Sequence, residues 1–153
     1  MRGYFDIVRS TTACVHFVFE TKLDDEFLSE IRERLKHDGV LVAYLDGRDL
    51  LDGVSRFCSV VGAAIGAEHA MECMEESYVV LFDDMVSLSN TLPGLVLIVD
   101  RAWEVFDADR VTAFGFVEGF LSQLHHWLDR GRPCHLCFQM SPNEDVKKYF
   151  LNN

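Results

Sequence analysis

Four short apolar runs spaced along the chain constrain its fold more than any other feature. They are ACVHFVFET (13–21), with β-branched and aromatic residues, VLVAYL (40–45), GLVLIVD (94–100) and PCHLCFQM (133–140). Residues 40–45 and 94–100 carry no alternation of polar and apolar positions, as expected of strands covered on both faces. Between the runs lie segments with helical spacing. LDDEFLSEIRERLKHDG places Phe27, Leu28, Ile31 and Leu35 on one side, with Asp24 as N-cap and Gly39 as the stop. Asp46-Gly47 turns the chain, and from about Asp52 to Ile65 the residues Val54, Phe57, Cys58, Val61 and Ile65 mark a second helix. A third helix is expected over 68–85. DADRVTAFGFVEGFLSQLHHWLDRG reads as the longest, with Val111, Phe114, Phe120, Leu121, Leu124 and Leu128 inward and Gly131 ending it. Ser141, Pro142 and Glu144 give the start of a small last helix.

The order β-α-β-α-α-β-α-β-α implies an α/β fold: a mainly parallel sheet of about four strands with helices packed on it. At 153 residues the chain suits a single domain, 1–153, that buries a real core without metal or disulfide. The N-terminus lacks a signal-peptide core, and no apolar stretch reaches the roughly 20 residues of a membrane span. Cys14, Cys58, Cys73, Cys134 and Cys137 are odd in number and lie in apolar runs, so buried reduced thiols and a cytoplasmic location are expected.

The segment EHAMECMEESYVVLFDDM (68–85) has an unusual surface. Ala70, Met71, Met74, Tyr78, Leu81, Phe82 and Met85 recur at three- and four-residue steps. On a single helix Glu68, Glu72, Glu75, Glu76 and Asp83 would share an arc of about 100°. No lysine or arginine occurs between Arg56 and Arg101. Like charges four residues apart, as in Glu68/Glu72 and Glu72/Glu76, each cost a few tenths of a kcal/mol. A face kept only for hydration would interleave lysines. A net charge of −11 argues against direct nucleic-acid binding and favours a basic protein partner.

Enzyme signatures of the phosphate-loop, dinucleotide, HExxH and GxSxG kinds are absent. Cys134 and Cys137 have CxxC spacing, but in a strand residues three apart point to opposite faces. His125 and His126 diverge by about 100° on a helix. Gly115 and Gly119 form a GxxxG for which close packing is expected, with helix-mediated dimerisation as the alternative. An active site at the carboxyl ends of the strands would draw on Asp46, Arg48, Asp100 and Arg101.

From Val40 onward the chain resembles the barstar family, small intracellular inhibitors of bacterial ribonucleases. The resemblance runs through VLVAYLDGRDLLDGVSRFCSVVGAAIG, then YVVLFDDM, similar to the family's DALWDCL segment, then GLVLIVD and FLSQLHHWLDRGRPCHLCF. It covers about 100 residues, 40–140, with 1–39 as an N-terminal strand–helix addition and 141–153 as a C-terminal helix. The resemblance implies a non-catalytic inhibitor or immunity protein that masks a basic toxin, a nuclease, without cofactor or metal, as a monomer rather than a dimer. The contact set it implies, with the acidic stripe, is Glu68, Glu72, Glu75, Glu76, Val79, Phe82 and Asp83. Asp83 would enter the toxin's site, and Phe82 would stand where the family has tryptophan.

Overall fold

The structure is a computed structural model and describes residues 14–19, 24–72 and 77–140. The last helix expected from the sequence, together with Glu75, Glu76 and Cys73, lies outside the described residues. The chain is an α/β protein whose four strands β1 (Val15–Val18), β2 (Leu41–Asp46), β3 (Leu95–Asp100) and β4 (Cys134–Gln139) form one sheet. Their spatial order is β1-β4-β3-β2, and every pairing is parallel. The helices are α1 (Asp25–Lys36), α2 (Gly53–Ile65), α3 (Glu68–Glu72), α4 (Val79–Leu88), α5 (Ala102–Ala108), α6 (Arg110–Gln123) and α7 (His125–Leu128).

Strand alternation divides the interior into two layers. Val96, Ile98 and Cys137 face α1, where they pack on Leu28, Ile31 and Leu35. Leu95, Leu97, Val99, Cys134, Leu136 and Phe138 face the other way, into the larger core with residues of α2 and α4 to α6. Every side chain of β3 up to Val99 is buried, which is why that run shows no polar alternation, and β4 is buried along its whole length. Asp24 caps α1 by accepting from the Phe27 N–H at 2.8 Å, and Gly39 beyond its end has φ +72°. No helix among the described residues is long and apolar enough to cross a membrane.

The single helix expected over 68–85 is instead two, α3 and α4. Along a continuous helix Ala70 and Asp84 would stand about 21 Å apart. Here the Ala70 N–H donates to Asp84 Oδ2 at 3.0 Å, so the chain doubles back and α3 lies against α4. Helical spacing survives the break because both pieces bury apolar residues against the same core. Just before α4, Ser77 Oγ accepts from the Val79 N–H at 3.2 Å, and the Cys58 thiol donates to the Ser77 carbonyl at 3.5 Å.

The longest expected helix is also divided. Residues 102–108, of which only 107–108 fell within that expected helix, form α5, and Asp109 begins α6 by accepting from both the N–H and the hydroxyl of Thr112. Phe120 and Leu124 face inward as expected. Val111 and Leu121 do not: they are 84% and 50% exposed, while Ala113, Phe116 and Trp127 are buried. Apolar residues occur nearly all round this helix, so periodicity alone could not choose its inner side.

Gly119 settles that orientation. A Cβ there would fall inside the ring of Phe82, so α4 and α6 close on each other through a position with no side chain. Gly119→Ala gains about 1 kcal/mol of helix propensity but overpacks the contact by about 1–3 kcal/mol. A net loss of up to about 2 kcal/mol is expected in urea unfolding. A stabilised variant would contradict the close approach.

Candidate functional site

The residues expected to meet a partner occupy different environments. Glu68 and Glu72 are exposed on α3, and Asp83 is exposed on α4. None of the three takes part in an ion pair among the described residues. Val79, at the start of α4, is 63% exposed. Phe82, expected at the border of the surface, is corrected to the core: it is 8% exposed and its ring lies 5.5 Å from that of Phe116 and 5.8 Å from that of Tyr78. Its burial follows from the gap that Gly119 leaves. The carboxylates therefore belong to two helices rather than to one stripe.

Helical spacing places Asp83 in the acidic arc and leaves Asp84 out, but it gives no role to Asp84. Asp84 is structural: one oxygen holds the Ala70 N–H and the other pairs with His69 Nδ1 at 2.9 Å. Asp83 lies one residue away, about 100° around α4, and its side chain is left to solvent. The doubling back of α3 creates this difference.

Tyr78 links α4 to α6. Its hydroxyl donates to the Thr112 carbonyl at 2.8 Å, and its ring packs edge-on to Phe57 at 5.8 Å. The exposed Val79 and Val111 each adjoin one partner of that hydrogen bond and so open at the same end of the α4–α6 pair. No sequence signal joined these two valines, which are 32 positions apart.

At the carboxyl ends of β2 and β3 the structure brings together all four residues of the alternative enzyme site. Asp46 and Asp100 are register partners. The Arg101 guanidinium grips both oxygens of Asp46, with its Nε at 3.1 Å, and Arg48 Nη2 reaches the same carboxylate at 3.0 Å. Asp46 also accepts from the Arg48 N–H at 3.0 Å, capping the tight turn Gly47–Leu50. Asp100 accepts from the Tyr44 hydroxyl at 2.8 Å and from the Arg101 N–H at 2.8 Å. Arg101 adopts φ +48°, a left-handed conformation that turns its side chain back over Asp46.

The electrostatics follow from this geometry. The Arg101 guanidinium, joined by Arg48, holds the Asp46 carboxyl well below the usual range. Burial first, then the hydrogen bond to Asp100, pushes Tyr44 up to about 12. A carboxyl depressed in the folded state stabilises the fold above its unfolded value of about 3.9, and that contribution is lost as pH falls below it. The stability gap between the native chain and Asp46→Asn is therefore expected to be widest above about pH 5 and to narrow steadily below about pH 4. Thermal midpoints of both proteins from pH 7 to pH 3 measure it; a gap that grows on acidification would contradict the pairing.

Cys134 and Cys137 are buried free thiols on opposite sides of the sheet, and burial pushes Cys137 up to about 12. His125 and His126 have rings 4.0 Å apart on α7, and the His126 carbonyl accepts from Arg130. No group of three or more metal-ligating side chains gathers among the described residues.

No protein-family model matches the chain. No curated protein matches it either. Among solved structures it is similar to a chain of the Drosophila ORC bound to DNA, with a TM-score of 0.54 and 13% sequence identity. The similarity covers 89% of this chain and 33% of that one, so this chain spans about a third of that chain's length. At this identity the likeness concerns the fold.

Proposed function

We propose that this chain is a non-catalytic protein-binding domain that receives a basic protein partner on its α3–α4 flank, within a larger assembly on DNA. The observation that carries the reading is the set of exposed carboxylates Glu68, Glu72 and Asp83, unmatched by any cation among the described residues. Such charges gain their counterions in a complex and raise the rate of encounter with a positive surface. The strand-end cluster supports a non-catalytic role, because Asp46 and Asp100 spend their hydrogen-bonding capacity on Arg101, Arg48 and Tyr44. The assembly is suggested by the ORC chain, whose structure includes DNA and whose fold matches most of this domain. With a net charge of −11, this domain would meet the protein component rather than the DNA itself.

The resemblance of residues 40–140 to the barstar family favours a second reading, an inhibitor or immunity protein that masks a basic nuclease. Its support is weaker, since the acidic helix is divided and Phe82 is withdrawn from the surface. Chemical cross-linking of the tagged chain in its own cells, with and without DNA digestion, separates the two. The assembly reading expects cross-links from α3 and α4 to lysines of several proteins, retained after digestion and lost in Glu68→Lys/Asp83→Lys. A one-to-one complex with a single small nuclease, silenced on binding, would establish the inhibitor reading instead. Unchanged cross-links in the charge-reversed variant would remove the flank from both.

A further inference from the structure

Where α2 ends and α3 lies back against α4, a surface pocket of about 300 Å³ opens. Its polar side chains are Glu68, His69, Asp84, Ser87 and Thr91. The hydrogens of these groups are already spent. The Asp84 carboxylate can only accept, so His69 Nδ1 donates to it at 2.9 Å, and the neutral ring keeps its lone pair on Nε2. The Ser87 hydroxyl donates to the Asp83 carbonyl at 3.2 Å and the Thr91 hydroxyl to the Leu88 carbonyl at 3.4 Å. Both hydroxyl oxygens are left with lone pairs alone. Every polar side chain of the lining therefore accepts hydrogen bonds, and none has a donor to offer. Ala67 and Leu88 add an apolar wall.

The charge around the pocket has the same sense. Glu68 and Asp84 are carboxylates from two helices, and α2 ends at Gly66, bringing the negative end of its dipole to the same place. No lysine or arginine lines the pocket among the described residues. Arg130 and Arg132 bond Ser89 and Asn90 just beyond α4 and are not part of the lining. The Ala70–Asp84 hydrogen bond that folds α3 back is what brings Glu68 and His69 beside Ser87 and Thr91.

Resting on the binding role proposed above, we infer that this pocket receives one arginine side chain of the basic protein partner. Arginine combines an apolar stem, suited to Ala67 and Leu88, with a flat, permanently charged head that carries donors and no acceptor. Lysine has fewer donors on a compact, more strongly hydrated head, and so matches fewer of the lone pairs. A metal ion fits less well, because no group of three or more metal-ligating side chains gathers among the described residues.

The probe is a blocked alanine pentapeptide with arginine at its centre, titrated into the full chain and followed by backbone resonances. Its controls replace the arginine by citrulline, which keeps the shape without the charge, and by lysine. The arginine peptide is expected to saturate with a Kd of about 1 mM and to shift resonances along 66–69 and 84–91. Citrulline is expected to bind at least about tenfold more weakly, and lysine about threefold. Ser87→Leu fills the pocket at an exposed position and keeps both carboxylates. It is expected to weaken arginine binding about tenfold with the thermal midpoint kept. Thr91→Val removes one acceptor, also at an exposed position, and serves should Ser87→Leu fold poorly; a loss of about threefold is expected. Equal binding of the arginine and citrulline peptides, lysine binding as tightly as arginine, or full affinity in the variants would overturn the pocket. If none of the peptides is distinguished while Glu68→Lys/Asp83→Lys still loses its cross-links, the acidic flank stands and the pocket falls. Selective arginine binding with cross-links unchanged in that variant would overturn the partner, assigning the pocket to a free guanidinium compound.

Discussion

Phe116→Ala is expected to lower the stability of this protein by about 3–5 kcal/mol, a large part of the total for a domain of this kind. Phe116 is completely buried, and its ring lies 4.7 Å from Phe57, 5.7 Å from Tyr78, 5.5 Å from Phe82 and 6.4 Å from Phe120. Those rings come from α2, α4, α6 and the residue just before α4. Truncation removes the common neighbour, and close-packed aromatic rings cannot collapse fully into the space left behind. In a chain of this length the loss corresponds to roughly 6 to 20 °C in thermal midpoint. The urea midpoint should fall with an unchanged denaturant slope, since the native state stays compact. A loss below about 1 kcal/mol would mean that the cluster does not join the helices.

Gly47→Ala is expected to cost about 3 kcal/mol or more, the upper end for added bulk in a packed site. The φ of Gly47 is not left-handed, so conformation is not the issue. Its Cβ would collide with the carbonyl of Arg101 and lie 3.1 Å from the carbonyl oxygen of Asp100. Both obstacles are backbone at the end of β3, and no side-chain rotation relieves them. Relief requires β2 and β3 to part at the point where Arg101 holds Asp46, so the ion pair should loosen as well. Arg48→Ala is the control: it removes an exposed member of the same cluster and should cost no more than about 1 kcal/mol. Equal losses in the two variants would show that charge rather than close backbone approach maintains this corner.

Much of the architecture is legible along the chain, for physical reasons that differ by element. β3 is surrounded by helices on both faces, so every residue of LVLIVD must be apolar until Asp100, and the run announces itself. Among the described residues α1 is the helix that covers one face of the sheet, and it does so with a narrow apolar stripe of Leu28, Ile31 and Leu35. The opposite facing of Cys134 and Cys137 follows from strand geometry.

The candidate site is less legible. The acidic content of 68–83 is plain, but its arrangement is not. Nothing local distinguishes a helix that continues past Glu72 from one that folds back, because both alternatives keep apolar residues at helical spacing. The structural role of Asp84 emerges only when the Ala70 N–H of α3, 14 residues earlier in the chain, meets it. Phe82 reads as a border residue until Gly119, 37 positions later, opens a place for its ring.

By itself, then, the sequence determined the strand positions, the parallel α/β class, the faces of α1 and α2, and the excess of negative charge. Each of these follows from local periodicity, composition or chain connectivity. Tertiary structure alone decided where the helices break, which side of α6 faces inward, how Asp46 and Arg101 pair, and which carboxylates remain in water. Those outcomes depend on contacts between residues far apart in the chain, where one glycine or one hydrogen bond selects among patterns that are equivalent along the sequence.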